Sequence, residues 1–252
     1  MTIRTFPTAG EAAAALAGDV LNQIRARPAL VLGLPTGRTP VAFYRALVRG
    51  IRRGGTSVAD LTTFNLDEFL GVSPDQPGSY RGYMERYLFR PVGLGPAQIN
   101  FLEGTAADPR LECERYERAI TASGGIDVQV LGIGANGHIG FNEPGEWLVL
   151  HTHRVTLRPE TRRTNAGLFG GHIDSVPREA LSMGLGTILR ARKIVLLATG
   201  REKARAVSLM VRGPLTTALP ASFLQLHGDV DVVLDDAAGA LLGDTTGAAA
   251  HL

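Results

Sequence analysis

The residues best suited to chemistry lie in the stretch 131–145, Leu-Gly-Ile-Gly-Ala-Asn-Gly-His-Ile-Gly-Phe-Asn-Glu-Pro-Gly. It follows a β-type run at 126–130, so its glycines fall where a strand must turn sharply and let a ligand approach the backbone. His138 and Glu143 are presented on it together, with little side-chain bulk between them. An imidazole that titrates near neutral pH beside a carboxylate suits general acid–base chemistry. Gly132, Gly134 and Gly137 also spell G-x-G-x-x-G, which marks a dinucleotide site when an amphipathic helix follows and an acid lies about twenty residues on. Here the chain continues His-Ile-Gly-Phe-Asn-Glu-Pro, and near Leu157 it offers only Arg158 and Glu160. No dinucleotide site is expected.

Three further places carry candidate groups. Residues 33–40, Gly-Leu-Pro-Thr-Gly-Arg-Thr-Pro, follow the apolar run 29–34. Thr39 as cap and Pro40 in the first turn predict a helix start, with the helix running through Arg49. Strand, glycine turn and helix N-terminus together make a phosphate site, although an ordinary tight connection has the same composition. The β-prone run 61–69 ends in adjacent acids, Asp67 and Glu68, whose side chains must point to opposite faces of a strand. One is expected to face a ligand crevice and the other to brace the loop. Lys203 stands in the first turn of a helix expected to reach Val211, where it could meet an anion or simply be solvated. His151 and His153 alternate around a β-like run at 152–157 and would make half a metal site, but no clear third ligand accompanies them. Exposed strand histidines are the default there.

These groups need a scaffold. Helices are expected over 8–27, 80–89, 109–123 and 179–189, with a short one over 220–226, and buried strands over 193–198 and 230–234. The last strand runs into Asp235 and Asp236, most simply a helix cap. Alternating strands and helices with no dividing linker predict one α/β domain over 1–242. Its architecture would be a doubly wound, mostly parallel sheet with helices on both faces, Rossmann-like. Ligand groups in such sheets gather at the carboxyl ends of the strands. Residues 243–252, made chiefly of alanine, glycine and threonine, are expected to fray.

Composition removes several classes of function. The formal charge is only +2, aromatics are 6%, and basic residues occur as isolated pairs such as Arg52-Arg53 and Arg162-Arg163. No nucleic-acid partner is implied. The single cysteine, Cys113, excludes an internal disulfide and fits a reducing compartment as a buried, inert thiol. The N-terminus lacks the apolar centre of a signal peptide and no apolar run approaches membrane-spanning length, so no membrane partner and a cytoplasmic location are expected.

Five collinear motifs then carry a resemblance. They are Leu-Gly-Leu-Pro-Thr-Gly-Arg-Thr-Pro (32–40), Phe-Asn-Leu-Asp-Glu-Phe-Leu-Gly (64–71), the stretch 131–145, Ala-Leu-Ser-Met-Gly-Leu-Gly-Thr-Ile-Leu (180–189) and Leu-Gln-Leu-His (224–227). From about residue 20 to residue 238 the chain resembles glucosamine-6-phosphate deaminases. The resemblance implies conversion of glucosamine 6-phosphate and water to fructose 6-phosphate and ammonia, with no metal or organic cofactor. It implies that His138 opens the sugar ring, that Asp67 moves a proton from C2 to C1, and that Glu143 orients His138 and favours its charged form. Asn136 stands beside them where some members carry an aspartate. Pro35, Thr36, Gly37, Arg38, Thr39, Gly137 and Lys203 would bind the substrate and its phosphate.

Two departures bear on that phosphate. The family's arginine two positions after the asparagine of Thr-Arg-x-x-Asn is here Gly167, and a position usually glycine or serine is here Arg38. Either Arg38 restores the missing charge from the opposite wall, or the substrate is a different amino sugar or sugar adduct. The basic residues of the allosteric site of enteric members are matched by His153 and Val155, so activation by N-acetylglucosamine 6-phosphate is not expected. A lactonase of the same fold would not need Asp67 together with the His138 and Glu143 pair. A sugar-phosphate sensor would usually carry a DNA-binding segment before residue 28. The family includes monomers and hexamers, so a homo-oligomer stays open.

Overall fold

The computed structural model describes residues 1–243. Its strands are β1 (Thr2–Phe6), β2 (Val31–Leu34), β3 (Thr62–Asn65), β4 (Asp67–Phe69), β5 (Ile99–Asn100), β6 (Val128–Leu131), β7 (His153–Thr156), β8 (Glu179–Ser182), β9 (Lys193–Ala198) and β10 (Val230–Asp235). Seven of them form one sheet in the order β1-β10-β9-β6-β2-β3-β5, with every pairing parallel. A strand that is apolar on both faces must be covered on both, and the helices supply the cover. They are α1 (Ala9–Ala26), α2 (Pro40–Gly54), α3 (Tyr80–Met84), α4 (Arg90–Val92), α5 (Pro109–Ala122), α6 (Pro159–Asn165), α7 (Leu185–Leu189), α8 (Ala204–Arg212) and α9 (Asp236–Gly239), with a π-helical turn (Glu85–Phe89) joining α3 to α4.

Strand alternation divides the core in two. Leu32, Leu34, Val128, Val130, Val195 and Leu197 pack with Leu16 and Val20 of α1, Phe43 and Leu47 of α2, and Leu88 and Phe89 of the π turn. Val31, Leu131, Ile194, Leu196, Val232 and Leu234 face the other way, onto Tyr116 and Ile120 of α5 and Val207 and Met210 of α8. This is the doubly wound arrangement expected.

Several local expectations change. The run 61–69 is not one strand: it breaks at Leu66, so that β3 stays in the parallel sheet while β4 joins a second, antiparallel sheet in the order β4-β8-β7. The helix expected over 179–189 is instead β8 followed by the short α7. Pairing overrides the local pattern there: Ala180 and Leu181 are fully buried, Asp67 pairs with Ser182, and the Met183 amide donates to the Leu66 carbonyl at 2.7 Å. Thr39 does not cap α2 with its side chain. Its own backbone is helical at φ −59°, and Pro40 opens the helix. His151 lies outside β7, so it shares no strand face with His153, whose Nδ1 lies 3.0 Å from the His151 carbonyl. β1, not anticipated, is an edge strand with a single apolar residue packed on each face, Ile3 and Phe6. The expected tail from 244 onward lies outside the described residues. Among those described, no helix is long and apolar enough to cross a membrane.

Gly184 shows how closely the segments flanking β7 and β8 pack. A Cβ there would lie 2.2 Å from the His151 carbonyl oxygen and 2.5 Å from the Leu150 carbonyl carbon, both backbone. Gly184→Ala is expected to cost about 1–3 kcal/mol, a fall in Tm of roughly 2–4 °C per kcal/mol in calorimetry for a chain of this size. An unchanged Tm would mean that the 150–151 segment yields freely.

Candidate active site

A crevice of about 1010 Å³ opens where β2, β3, β6 and β9 end, and its walls include Pro35, Thr36, Gly37, Arg38, Thr39, Asp67, His138 and Lys203. Four carboxyl ends of parallel strands thus deliver eight of the expected residues to one place. Asn136, Gly137 and Glu143 do not line it. The first and last of these stand behind His138. Gly137 instead makes a turn at φ +84°, donating its N–H to Gly134 and accepting from Ala221, with Leu219 packed where a Cβ would be. It turns the chain one residue before His138.

Asp67 and Glu68 divide as the strand rule requires. Glu68 is turned away and accepts from the amides of Phe69, Tyr80 and Arg81 and from the Ser79 hydroxyl, at 2.9–3.0 Å. It braces the start of α3. Burial still pushes its carboxyl above the usual range, against those four donors. Asp67 is 5% exposed and has only a long contact, 3.5 Å, from the Thr36 hydroxyl. Burial first, and the neighbouring Glu68 second, raise its pKa to about 8.

His138 owes its position to Gly134, where a Cβ would come within 2.3 Å of the imidazole. The ring folds back over its own loop because glycine leaves the room. Its backbone N–H donates to Asn136 Oδ1 at 3.2 Å, and the Asn136 amide donates to Glu143 Oε2 at 2.9 Å. Thr161 of α6 donates to Glu143 Oε1. His138 Nδ1 lies 3.6 Å from Glu143 Oε2, close enough for an ion pair and too long for a hydrogen bond, and it is buried without a partner. Burial raises the Glu143 pKa, but His138, Thr161 and Asn136 outweigh it and hold the carboxyl down at about 2. Thr161 reaches Glu143 and Asn165 reaches Tyr80 across 18 and 85 residues of sequence. Their contact with the site had no spacing signal.

The 35–39 loop ties down its carbonyls and leaves its amides open. The Tyr44 and Tyr83 hydroxyls donate to the Pro35 and Gly37 carbonyls, and Gly37 adopts φ +107°. Among the described residues the N–H groups of Thr36, Gly37, Arg38 and Thr39 donate to no protein acceptor, and they sit at the N-terminus of the 15-residue α2. Arg38 and Lys203 have no carboxylate within salt-bridge range in that set. Burial lowers the Lys203 pKa, as expected of a partly desolvated, unpaired ammonium. A Cβ on Gly167 would lie 3.9 Å from Arg38 Nη2, so the guanidinium reaches the wall that this glycine leaves open. No cluster of three potential metal ligands occurs among the described residues.

The buried acid has a stability consequence. Unfolded, an aspartate ionises near 3.8; folded, Asp67 keeps its proton to about 8. Over that interval the native state binds the extra proton, so Asp67 lowers stability progressively as pH rises from about 4 to about 8. Glu143 acts oppositely, stabilising above its unfolded value of 4.5 and losing that contribution as pH falls toward 2. Asp67→Asn is therefore expected to melt above wild type at pH 8, with an advantage that shrinks toward pH 4. A pH-independent difference would contradict the burial of an ionisable Asp67.

Comparison with known proteins agrees with this geometry. Residues 7–233 match the family of glucosamine-6-phosphate isomerases/6-phosphogluconolactonase. A glucosamine-6-phosphate deaminase of Rhodopirellula baltica is 48% identical over 240 residues, 95% of each chain. One from Halothermothrix orenii is 47% identical over 223 residues, 88% of this chain and 92% of that one. A solved monomeric glucosamine-6-phosphate deaminase superposes with a TM-score of 0.92 at 43% identity, covering 96% of this chain and all of the other. A 6-phosphogluconolactonase from Trypanosoma cruzi, 20% identical with a TM-score of 0.77, shares the fold. By sequence, fold and the arrangement of its crevice, the chain belongs to the glucosamine-6-phosphate isomerase/6-phosphogluconolactonase family.

Proposed function

We propose that the protein is a glucosamine-6-phosphate deaminase, yielding fructose 6-phosphate and ammonia. One observation carries this reading above a lactonase: a buried carboxylate, Asp67, and an acid–base imidazole, His138, face one crevice with two unpaired cations. Lactone hydrolysis needs an activated water and no carbon acid chemistry. An isomerising deamination needs a base that removes a proton from carbon and returns it to the neighbouring one.

In this mechanism the phosphate docks on the amides of 36–39, Lys203 and Arg38, which fixes the sugar's far end. His138 moves a proton between the ring and anomeric oxygens and opens the ring. Asp67 takes the C2 proton, leaving an enolamine, and returns it to C1. The resulting C2 imine is hydrolysed by water, with the C–N bond breaking and ammonia leaving. The substrate's ammonium, arriving beside a carboxyl that holds its proton to about 8, favours the ionised base. All of these steps are proton transfers and a hydrolysis, within reach of side chains and water.

The second reading, another amino sugar, rests on Gly167. Arg38 answers it, because the guanidinium already lies 3.9 Å from the position of the missing side chain. Cys113 is buried and free, its thiol pushed up to about 11 by burial and by Glu112, which fits a cytoplasmic enzyme.

Ammonia release is expected from glucosamine 6-phosphate, at far lower efficiency from glucosamine, and not from either in Asp67→Asn. Equal turnover of the two sugars would favour the second reading. Arg38→Ala is expected to raise KM for the phosphosugar roughly 10- to 100-fold, as loss of a charge-assisted contact should. An unchanged KM would remove Arg38 from the phosphate site.

A further inference from the structure

One short segment touches both ends of the crevice. α6 and the turn after it carry Thr161, Thr164, Asn165, Gly167 and Leu168 along the wall. At one end the Thr161 hydroxyl holds Glu143 Oε1, and Thr161 is 5% exposed. At the other, Gly167 faces the Arg38 guanidinium. Asn165 ties the two together, donating to the Thr161 carbonyl at 2.9 Å and accepting from the Tyr80 hydroxyl at 3.2 Å.

Glu143 has two hydrogen-bonding holders among the described residues, Thr161 and Asn136. Asn136 belongs to the same loop as His138 and accepts its backbone N–H, so it moves with the imidazole. Thr161 alone links the carboxylate to a different part of the molecule. Meanwhile His138 Nδ1 is buried with no partner, 3.6 Å from Glu143. A buried ring nitrogen left unpaired is costly, and a shift of well under 1 Å would bring it within hydrogen-bonding distance of Glu143.

We propose that Thr161 is a positioning residue through which occupancy of the phosphate wall sets the engagement of His138 by Glu143. An anion held by Arg38, Lys203 and the 36–39 amides changes what Gly167 and Asn165 pack against. The segment moves as a unit, and Thr161 carries Glu143 onto His138 Nδ1. The phosphate then contributes to the rate of ring opening as well as to binding, and discriminates against unphosphorylated sugars in kcat. The inference rests on the deaminase reading and refines it.

The test separates the pieces of the substrate. Ammonia release from unphosphorylated glucosamine is followed with and without inorganic phosphite, a dianion that can occupy the phosphate site alone. Wild type is expected to be accelerated at least tenfold by saturating phosphite. Thr161→Val is expected to lose that acceleration and to lower kcat for glucosamine 6-phosphate 10- to 100-fold with KM changed less than threefold, while Thr161→Ser retains both. Acceleration persisting in Thr161→Val, or absent in wild type that turns over the phosphosugar normally, would overturn the coupling. A variant with KM and Tm both impaired, not restored by serine, would show a structural role only and overturn it equally. Wild type inactive on glucosamine 6-phosphate would instead refute the deaminase reading.

Discussion

Two adjacent carboxylates buried where one sheet gives way to another are the constraint on which the rest of the site depends. A strand sends neighbouring side chains to opposite faces, so Asp67 and Glu68 cannot share an environment. Glu68 receives four donors and fixes the start of α3. Asp67 receives one long contact and is left facing the crevice, desolvated and beside a like charge. The interruption of the strand at Leu66 makes this division possible, because it passes β4 to a separate antiparallel sheet whose partner strand places Ser182 opposite Asp67. On the proposed mechanism, a proton acceptor for a carbon acid is produced by withholding hydrogen bonds, and its cost to stability is carried by two large apolar layers.

The His138 side works by the opposite device. Glu143 is richly hydrogen-bonded and firmly ionised, while the imidazole beside it is short of one partner. Gly134 lets the ring fold over its loop, and Gly137 and Gly140 take the positive φ values that keep the loop compact. The buried Asp67 carboxyl and the half-buried His138 imidazole, each short of a partner, thus face a space where a polyhydroxylated amine would complete both. The 35–39 loop shares the same logic: its carbonyls are tied down by Tyr44 and Tyr83, and its amides are left open.

Much of this was legible in the residues. Glycine placement in 131–145 and 33–40 marked both loops, and the Asp67–Glu68 doublet already implied one inward and one outward acid. The parallel sheet with two helical layers followed from apolar runs alternating with helical ones. What stayed hidden depends on pairing and packing between distant segments. Nothing local distinguishes β8 from a helix, because Ala180, Leu181 and Met183 suit either until Leu66 and Phe69 pair with them. Thr39 looked like a cap, yet the chain is already helical there. The contact of Thr161 with Glu143 spans 18 residues and has no periodic signature. Arg38 and Gly167 stand out in the sequence as departures, but only the fold shows that they face each other.

The central claim is that one buried carboxylate both removes the C2 proton and delivers it to C1. Shielded from solvent, Asp67 should exchange the proton slowly relative to its return. The most direct measurement is the fate of deuterium from C2-deuterated glucosamine 6-phosphate, read in the product by mass spectrometry and NMR. The account predicts that a measurable fraction of the label appears at C1 of fructose 6-phosphate. Complete loss of the label to water, with C1 protonated only from solvent, would contradict it.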